Sequence, residues 1–240
     1  MQIIEHFIKE SAEWVMRGTR RQALGGVPKD LSHIIKQVRK SGYAVIDEFW
    51  PSDRCSEAVD AINRELSGST KCHQWDDAEG SDHRLYYAER MGGLLDQFHG
   101  DSLIEAYRQS YSGVKHADKL LLAARLDYIA GNFGSGGGWH RDSPHRSQFK
   151  AIMYLSDVAL ENGPFEYLEG SHLVSQSLRM VSKGLSQPNQ YRFSEQDIES
   201  IILFGQVSLR TFVAKAGTLL LVDTKGIHRG RPIKTGHAMH

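Results

Sequence analysis

The sequence predicts a mainly β chain with flanking helices, folded as a barrel that carries a metal ion in its mouth. Three observations predict it. His140 and Asp142 stand two residues apart, and a lone His228 answers them far downstream. Residues 125–132, 148–155 and 217–223 read as strands, the last a continuous apolar run of the kind buried on both faces. Between the first two lies Gly134-Ser135-Gly136-Gly137-Gly138, a loop without bulky side chains. In an extended strand, residues two apart point the same way, so one strand end can supply both His140 and Asp142. Ligands on two strand ends, joined by several β segments, are what a small β barrel with a metal in its mouth shows.

Taken in order, residues 1–40 read as helical. Ile3, Ile4, Phe7 and Ile8 recur on one face, and Gly25-Gly26-Val27-Pro28 breaks the arm before a second helix at 31–40. Residues 43–49 form the first strand. Pro51 opens a helix to about Leu66, a position where proline is well tolerated. Residues 67–81 are polar and irregular, a surface excursion, and 83–89 read as a strand. Ser102 and Glu105 look like a capping box opening a helix to about Tyr111. Strands then dominate, apart from a Ser- and Gln-rich insert at 173–202, where Ser194-Glu195-Gln196-Asp197 marks a helix start. In the strand 148–155, Phe149, Ala151, Met153 and Leu155 share one face, and Gln148, Lys150, Ile152 and Tyr154 the other. The apolar set suits the barrel interior, and the mixed set an outer layer under helices. There is no internal repeat or dividing linker, so we expect one domain over 1–240, with the insert as a lid.

Composition narrows the function classes. A chain of 240 residues can bury a full core. Lys plus Arg and Asp plus Glu both number 29, which argues against a nucleic-acid or membrane-surface role driven by bulk charge. The two cysteines, Cys55 and Cys72, are too few for a disulfide framework. The first residues lack the basic and apolar regions of a signal peptide, and no apolar run approaches membrane-spanning length. A soluble, cytoplasmic protein with no nucleic-acid or membrane partner is the expectation.

His140, Asp142 and His228 match the ligand set of a 2-His-1-carboxylate facial triad, which holds Fe(II) on one face and leaves positions open. Two neutral imidazoles and one carboxylate leave the ion near +1, able to accept a further anionic chelator. A His-x-Asp pair by itself is weak evidence, since a solvated loop can carry one by chance. The surrounding strands give it weight.

The chain resembles the phytanoyl-CoA dioxygenase-like branch of the Fe(II)/2-oxoglutarate oxygenases. The resemblance rests on residues 42–49 (Gly-Tyr-Ala-Val-Ile-Asp-Glu-Phe), on Trp139-His140-Arg141-Asp142, on residues 162–172 (Asn-Gly-Pro-Phe-Glu-Tyr-Leu-Glu-Gly-Ser-His), and on Gly217-Thr218 through His228-Arg229-Gly230. It implies a double-stranded β-helix (jelly-roll, cupin-like) barrel, with Fe(II) on His140, Asp142 and His228. It also implies 2-oxoglutarate as cosubstrate, dioxygen as oxidant and a small-molecule substrate. Asp142 argues against halogenation, because halogenating relatives replace this carboxylate with a small residue.

One departure stands out. The family places an arginine roughly ten residues after the distal histidine, where its planar fork grips the far carboxylate of 2-oxoglutarate. Here that stretch is Thr235-Gly236-His237-Ala238-Met239-His240. Arg229 and Arg231 lie too close to His228 to serve. Arg125 and Arg84 are the substitute anchors, and Leu155 occupies a position that lines the cosubstrate pocket in relatives. Trp139, His145 and Tyr191 are the proposed substrate contacts, flat or polar groups suited to a small polar or sugar-like metabolite. Hydroxylation, or oxidative cyclisation, of an unactivated C–H bond is the expected reaction. The missing arginine leaves a cupin-like metalloenzyme without 2-oxoglutarate as the alternative, with a non-catalytic relative behind it. The glycine cluster matches no phosphate-binding pattern. His172 is read as a structural residue.

Overall fold

A computed structural model describes residues 2–23, 29, 31–68 and 71–240. In chain order the elements are α1 (Gln2–Ala23), α2 (Ser32–Ser41), β1 (Tyr43–Ile46), α3 (Ser52–Leu66), β2 (His73–Asp76), β3 (Asp82–Tyr86), α4 (Gly93–His99), α5 (Ser102–Ser112), β4 (Leu122–Asp127) and β5 (Phe149–Met153). They continue with β6 (Phe165–Glu169), α6 (Val174–Ser182), α7 (Glu195–Gly205), β7 (Ser208–Phe212), β8 (Leu219–Asp223), β9 (His228–Gly230) and β10 (His237–Met239). The expected glycine break at 25–28 lies outside the described residues.

All strand pairings are antiparallel. One group runs β1-β8-β5, a second β10-β4-β3-β2, and a third β7-β6-β9. Leu155 donates its N–H to the Met239 carbonyl at 2.9 Å, which joins the first two groups edge to edge. The third group faces them, giving the jelly-roll barrel. Its interior is filled by Tyr43, Val45, Ile152, Tyr154, Phe165, Tyr167, Phe212, Leu220, Val222 and Ala238.

A second, larger apolar cluster lies outside the barrel, where α2, α3, α4 and α5 cover the first two strand groups. Ile35, Val38, Ala58, Ile62 and Tyr111 meet Leu219, Leu221, Leu85, Ala123 and Met239 there. β8 therefore has apolar layers on both sides, and all five of its residues are buried.

This arrangement reverses the expected facing of β5. Phe149, Ala151, Met153 and Leu155 pack under the helices, while Ile152 and Tyr154 line the barrel. Lys150, in register with interior Val222, faces inward as well. Alternation along a strand separates two faces but does not say which one looks into a barrel whose outside is equally apolar.

Three other expectations shift. The polar excursion at 67–81 contains β2, paired to β3. The α5 N-cap is Asp101, which accepts from the N–H groups of Leu103 and Ile104, one residue before the expected Ser102. α1 turns its apolar face outward, with Ile3, Ile4, Phe7 and Ile8 all more than half exposed, and buries His6 and Glu10.

The insert at 173–202 is two packed helices. Ser194 caps α7 in a full capping box with Asp197, as expected. Met180, Ile198 and Ile201 form a third apolar cluster with Trp139, Leu168, Phe193, Val207 and Ile227. Any lid motion is thereby confined to the connection between α6 and α7.

Candidate metal centre

His140 and His228 are distant in sequence and adjacent in the sheet. Each donates its backbone N–H to the other's carbonyl, at 2.9 and 2.8 Å, so they form one antiparallel bridge. Asp142 is tied in by its own N–H, which reaches the Thr224 carbonyl at 3.0 Å. The triad's ligand atoms lie within 4.8 Å of one another. His140 Nδ1 lies 2.9 Å from the Gly138 carbonyl, and His228 Nδ1 2.8 Å from that of Gly226. Both contacts place the ring proton on Nδ1 and leave Nε2 with a lone pair for a metal.

The electrostatics agree. Burial holds both imidazoles below the usual histidine range, His228 further lowered by its His140 neighbour, so both rings are neutral and able to ligate. Burial works to raise the Asp142 carboxyl, but Lys150 and His228 overcome it and keep Asp142 ionised. Lys150 Nζ sits 2.7 Å from Asp142 Oδ2, while Oδ1 lies 3.8 Å from His140 Nε2. One carboxylate oxygen is held by the lysine, and the other faces the histidines. The donor set of two neutral imidazoles and one carboxylate fits a ferrous ion.

Local structure supports each ligand. Asp223, fully buried, accepts from Tyr111 Oη at 2.5 Å and from the N–H groups of Gln148 and Lys225, shaping the turn before His228. Ser171 Oγ accepts the Ile227 N–H at 2.8 Å, so the Gly-Ser-His signature acts on the distal ligand through the backbone. His172 turns away to the Arg39 carbonyl, a structural role as expected. Gly136 lies against the His140 ring. A Cβ there would stand 2.4 Å from Cε1, and its φ of +82° is a conformation L residues rarely adopt. Position 136 is glycine because the His140 ring occupies the space of a side chain.

The other expected site residues divide. Arg84 on β3 faces the barrel interior, because its register partner Ala124 alternates with outward Ala123. Its guanidinium pairs with Asp82 through Nε and Nη2 and reaches Ser135 Oγ at 3.2 Å. Arg125 does not reach the interior. It shares the outward row with Met239 and pairs with Asp127 and with Asn63 of α3. Leu155 belongs to the helix-side core, not to a cosubstrate wall. Trp139 is 2 % exposed inside the insert's apolar cluster, with Arg229 stacked over its ring at 4.4 Å, so it cannot line a substrate path. His145 points toward α1, 2.6 Å from Asn189 Oδ1 and 3.8 Å from Glu10 Oε1, and not into the barrel. Tyr191 is 60 % exposed and lies beside the ligands, its carbonyl accepting the Arg141 N–H. Arg229 and Arg231 turn to Glu166 on the outer face.

Two residues escape a reading of the sequence alone. Lys150 reads there as an outer-face residue and lies inside. His240 exchanges both backbone hydrogen bonds with Ala124 and lies buried near Asp82 and Arg84. Strand register is the signal that finds it: Arg84, Ala124 and His240 are neighbours across three strands.

A jelly-roll barrel with this triad defines a non-haem metalloenzyme. The sequence matches the family described as phytanoyl-CoA dioxygenase (PhyH) over residues 38–239. The chain belongs to that family, and it is a non-haem iron, 2-oxoglutarate-dependent enzyme. Its cupin-like and non-catalytic alternatives are without support. No curated protein matches it by sequence. Among solved structures, it is similar to EctD from S. alaskensis with bound Fe, at 13 % identity and TM-score 0.65, covering 87 % of this chain and 73 % of that one. It is also similar to the epimerase SnoN in complex with Fe3+, alpha ketoglutarate and nogalamycin RO, at 15 % identity and TM-score 0.62, covering 88 % and 81 %. HygX from Streptomyces hygroscopicus with nickel, 2-oxoglutarate and hygromycin B follows at 16 % identity and TM-score 0.58, covering 89 % and 84 %. At these identities the likeness establishes the fold. No helix among the described residues is long and apolar enough to cross a membrane.

Proposed function

We propose that the protein oxidises an unactivated C–H bond of a small polar or sugar-bearing natural product, with His140, Asp142 and His228 as the iron ligands. The observation that carries the site is the convergence of three ligand atoms, with both histidine rings proton-fixed through Nδ1. Iron bound there, with 2-oxoglutarate and dioxygen, supplies an oxidant able to take hydrogen from such a bond as the cosubstrate loses carbon dioxide to give succinate.

The chain's own residues do the rest. Lys150 fixes one oxygen of Asp142 and leaves the other for the metal. Arg84 and His240 form the cradle for the far carboxylate of 2-oxoglutarate. They flank Ala124 in one inward row, and a methyl group between two basic side chains leaves room for a carboxylate. Ala238, at the family's arginine position, lies in the adjoining inward row beside Leu126. Asp82 already neutralises Arg84, so the cradle binds through hydrogen bonds more than through net charge.

Two exposed aromatics belong to segments that adjoin the triad: Tyr191, whose carbonyl accepts the Arg141 N–H, and Phe133, at 61 % exposure, just ahead of the glycine loop. Flat apolar surfaces at a neutral opening suit a ring-bearing polar compound. The neighbours that hold hygromycin B and nogalamycin RO fit the same class. The test is succinate release by the Fe(II) protein with glycosylated natural products and, separately, with acyl-CoA thioesters. Release stimulated by a glycoside and lost in His140→Ala, Asp142→Ala and His228→Ala is the expected result. Stimulation by acyl-CoA alone overturns the substrate class, and full turnover in any of the three variants overturns the ligand assignment.

A further inference from the structure

Outside the iron centre, a second set of ligand-type side chains converges on one point. His6 and Glu10 lie one turn apart on α1, and His145 lies in the loop three residues beyond Asp142. Their ligand atoms fall within 4.8 Å of one another, the same closeness the iron triad shows. His6 is 2 % exposed and Glu10 fully buried, so this is not a chance meeting of solvated surface groups.

The histidine tautomers give the cluster its meaning. His6 Nε2 lies 3.0 Å from Ser177 Oγ on α6, and His145 Nε2 lies 2.6 Å from Asn189 Oδ1. Asn189 Oδ1 can only accept, so His145 carries its proton on Nε2, and the same arrangement serves His6 against the hydroxyl. Both Nδ1 atoms are then bare lone pairs, and both are buried without a hydrogen-bond partner. A buried acceptor left unsatisfied is costly. An imidazole whose outer nitrogen is held by a protein acceptor and whose inner nitrogen faces a carboxylate is the usual arrangement around a metal ion. Glu10 Oε1 stands 3.8 Å from His145 Nδ1. The two rings, 5.1 Å between centres, are spaced as for shared coordination through Nδ1 bonds of about 2 Å.

We propose that His6, Glu10 and His145 form a second metal site, selective for borderline divalent ions such as Zn2+ or Co2+, that fastens α1 to the loop carrying Asp142. The surrounding charge sets the selectivity. Glu10 gives its other oxygen to Lys225 Nζ at 2.5 Å, Arg141 is buried close by, and Lys9 lies further out on α1. One carboxylate against these cations leaves the surroundings net positive, so an ion is held there by the imidazole lone pairs. The site excludes Mg2+ and Ca2+, which depend on carboxylate oxygens, and admits ions that gain from imidazole lone pairs. α1 precedes the family-matched region at 38–239, while His145 lies within it.

The experiment removes the iron site first. His140→Ala/His228→Ala protein, stripped with chelator, is titrated with Co2+ and followed by visible d–d absorption and metal content. One equivalent is expected, with at least tenfold weaker binding after a further His6→Asn or His145→Asn change and no binding of Mg2+ or Ca2+. Absence of Co2+ binding, or binding indifferent to both added changes, overturns the proposal. Should the double variant not fold, wild-type protein with excess Zn2+ decides the question by metal content. Two equivalents falling to one in His145→Asn sustain the site, and one equivalent in both proteins overturns it.

Discussion

The sharpest test of the iron-site geometry is a methyl group at Gly136. A Cβ at this position would lie 2.4 Å from His140 Cε1 and 3.1 Å from Nε2, so the ring must retreat by about 1 Å to restore ordinary contact. The ring is held on its other side by Nδ1 at the Gly138 carbonyl and by a backbone bridge to His228, and it cannot retreat without loosening one of them. Misplacing a reacting centre by 1 Å costs about 100-fold in rate. A disturbed ligand orientation costs about 10- to 100-fold in metal affinity. The φ of +82° adds about 1–2 kcal/mol of backbone strain for alanine. For a chain of this size that is a melting decrease of about 2–8 °C. Gly138→Ala separates these effects. Its φ is +86°, but nothing lies within 4 Å of its Cβ. Both variants should lose thermal stability in the metal-free state, Gly136→Ala the more, and only Gly136→Ala should lose Fe(II) affinity and turnover. Anaerobic Fe(II) titration with calorimetric melting of the apo proteins measures both. Equal Fe(II) affinity in the two variants would refute the placement of the His140 ring.

Three further outcomes are expected. In anaerobic titrations followed by the metal-to-ligand charge-transfer band, Arg84→Ala should weaken 2-oxoglutarate binding by about one to two decades, as for loss of hydrogen bonds to a charged group. Asp82→Asn should tighten it by releasing Arg84, and Arg125→Ala should leave it unchanged; the reverse ranking of the two arginines would sink the cradle. Burial lowers His6 to about 4 and depresses His240, so the unfolded chain takes up protons that the folded, metal-free chain refuses. Its stability should be full above about pH 6.5 and fall as the pH drops toward 4, the loss flattening in His6→Asn; a pH-independent melting temperature across that window would contradict the burial. Amides of α6 and α7 should exchange as slowly as those of β5, and residues 187–192 between them should exchange fast and slow on substrate binding. Uniform protection throughout that connection without substrate would remove the lid.

How much the sequence discloses depends on how local the determining physics is. The convergence of His140, Asp142 and His228 is legible because the proposed ferrous site needs those donor types and a strand end presents two of them at that spacing. The 162–172 signature is legible because Ser171 serves the backbone next to His228 and Asn162 ties its own turn to the Thr235 carbonyl before the last strand. The failures are failures of parity. Phe149, Ala151, Met153 and Leu155 form a correct face with the wrong orientation, since the helical layer outside is as apolar as the barrel and the interior must leave room for Lys150. Arg84 and Arg125 look equivalent in sequence. Register places Arg84 opposite Ala124, one residue out of step with Arg125, and that single step puts one arginine inside and the other against α3. Trp139 and His145 are misread for another reason: their partners, Glu195 and Glu10, come from segments that no local pattern connects to them.

α1 shows where hydrophobic patterning stops deciding orientation. Its apolar stripe of Ile3, Ile4, Phe7 and Ile8 would ordinarily be turned inward, yet it is the face with His6 and Glu10 that docks. A buried carboxylate is tolerated only where it is paired. Here the groups facing Glu10 come from the ligand segments themselves: Lys225, in the turn before His228, makes the ion pair, His145 follows Asp142, and Arg141, between His140 and Asp142, adds its charge from close by. The side chains of the ligand segments that point away from the iron thus form the receptor for α1. Removing α1 would leave Lys225 without its carboxylate partner and Arg141 without the nearby negative charge, directly behind the ligand segments. The helix is therefore coupled to the iron centre through charge, and its exposed apolar face follows from that coupling.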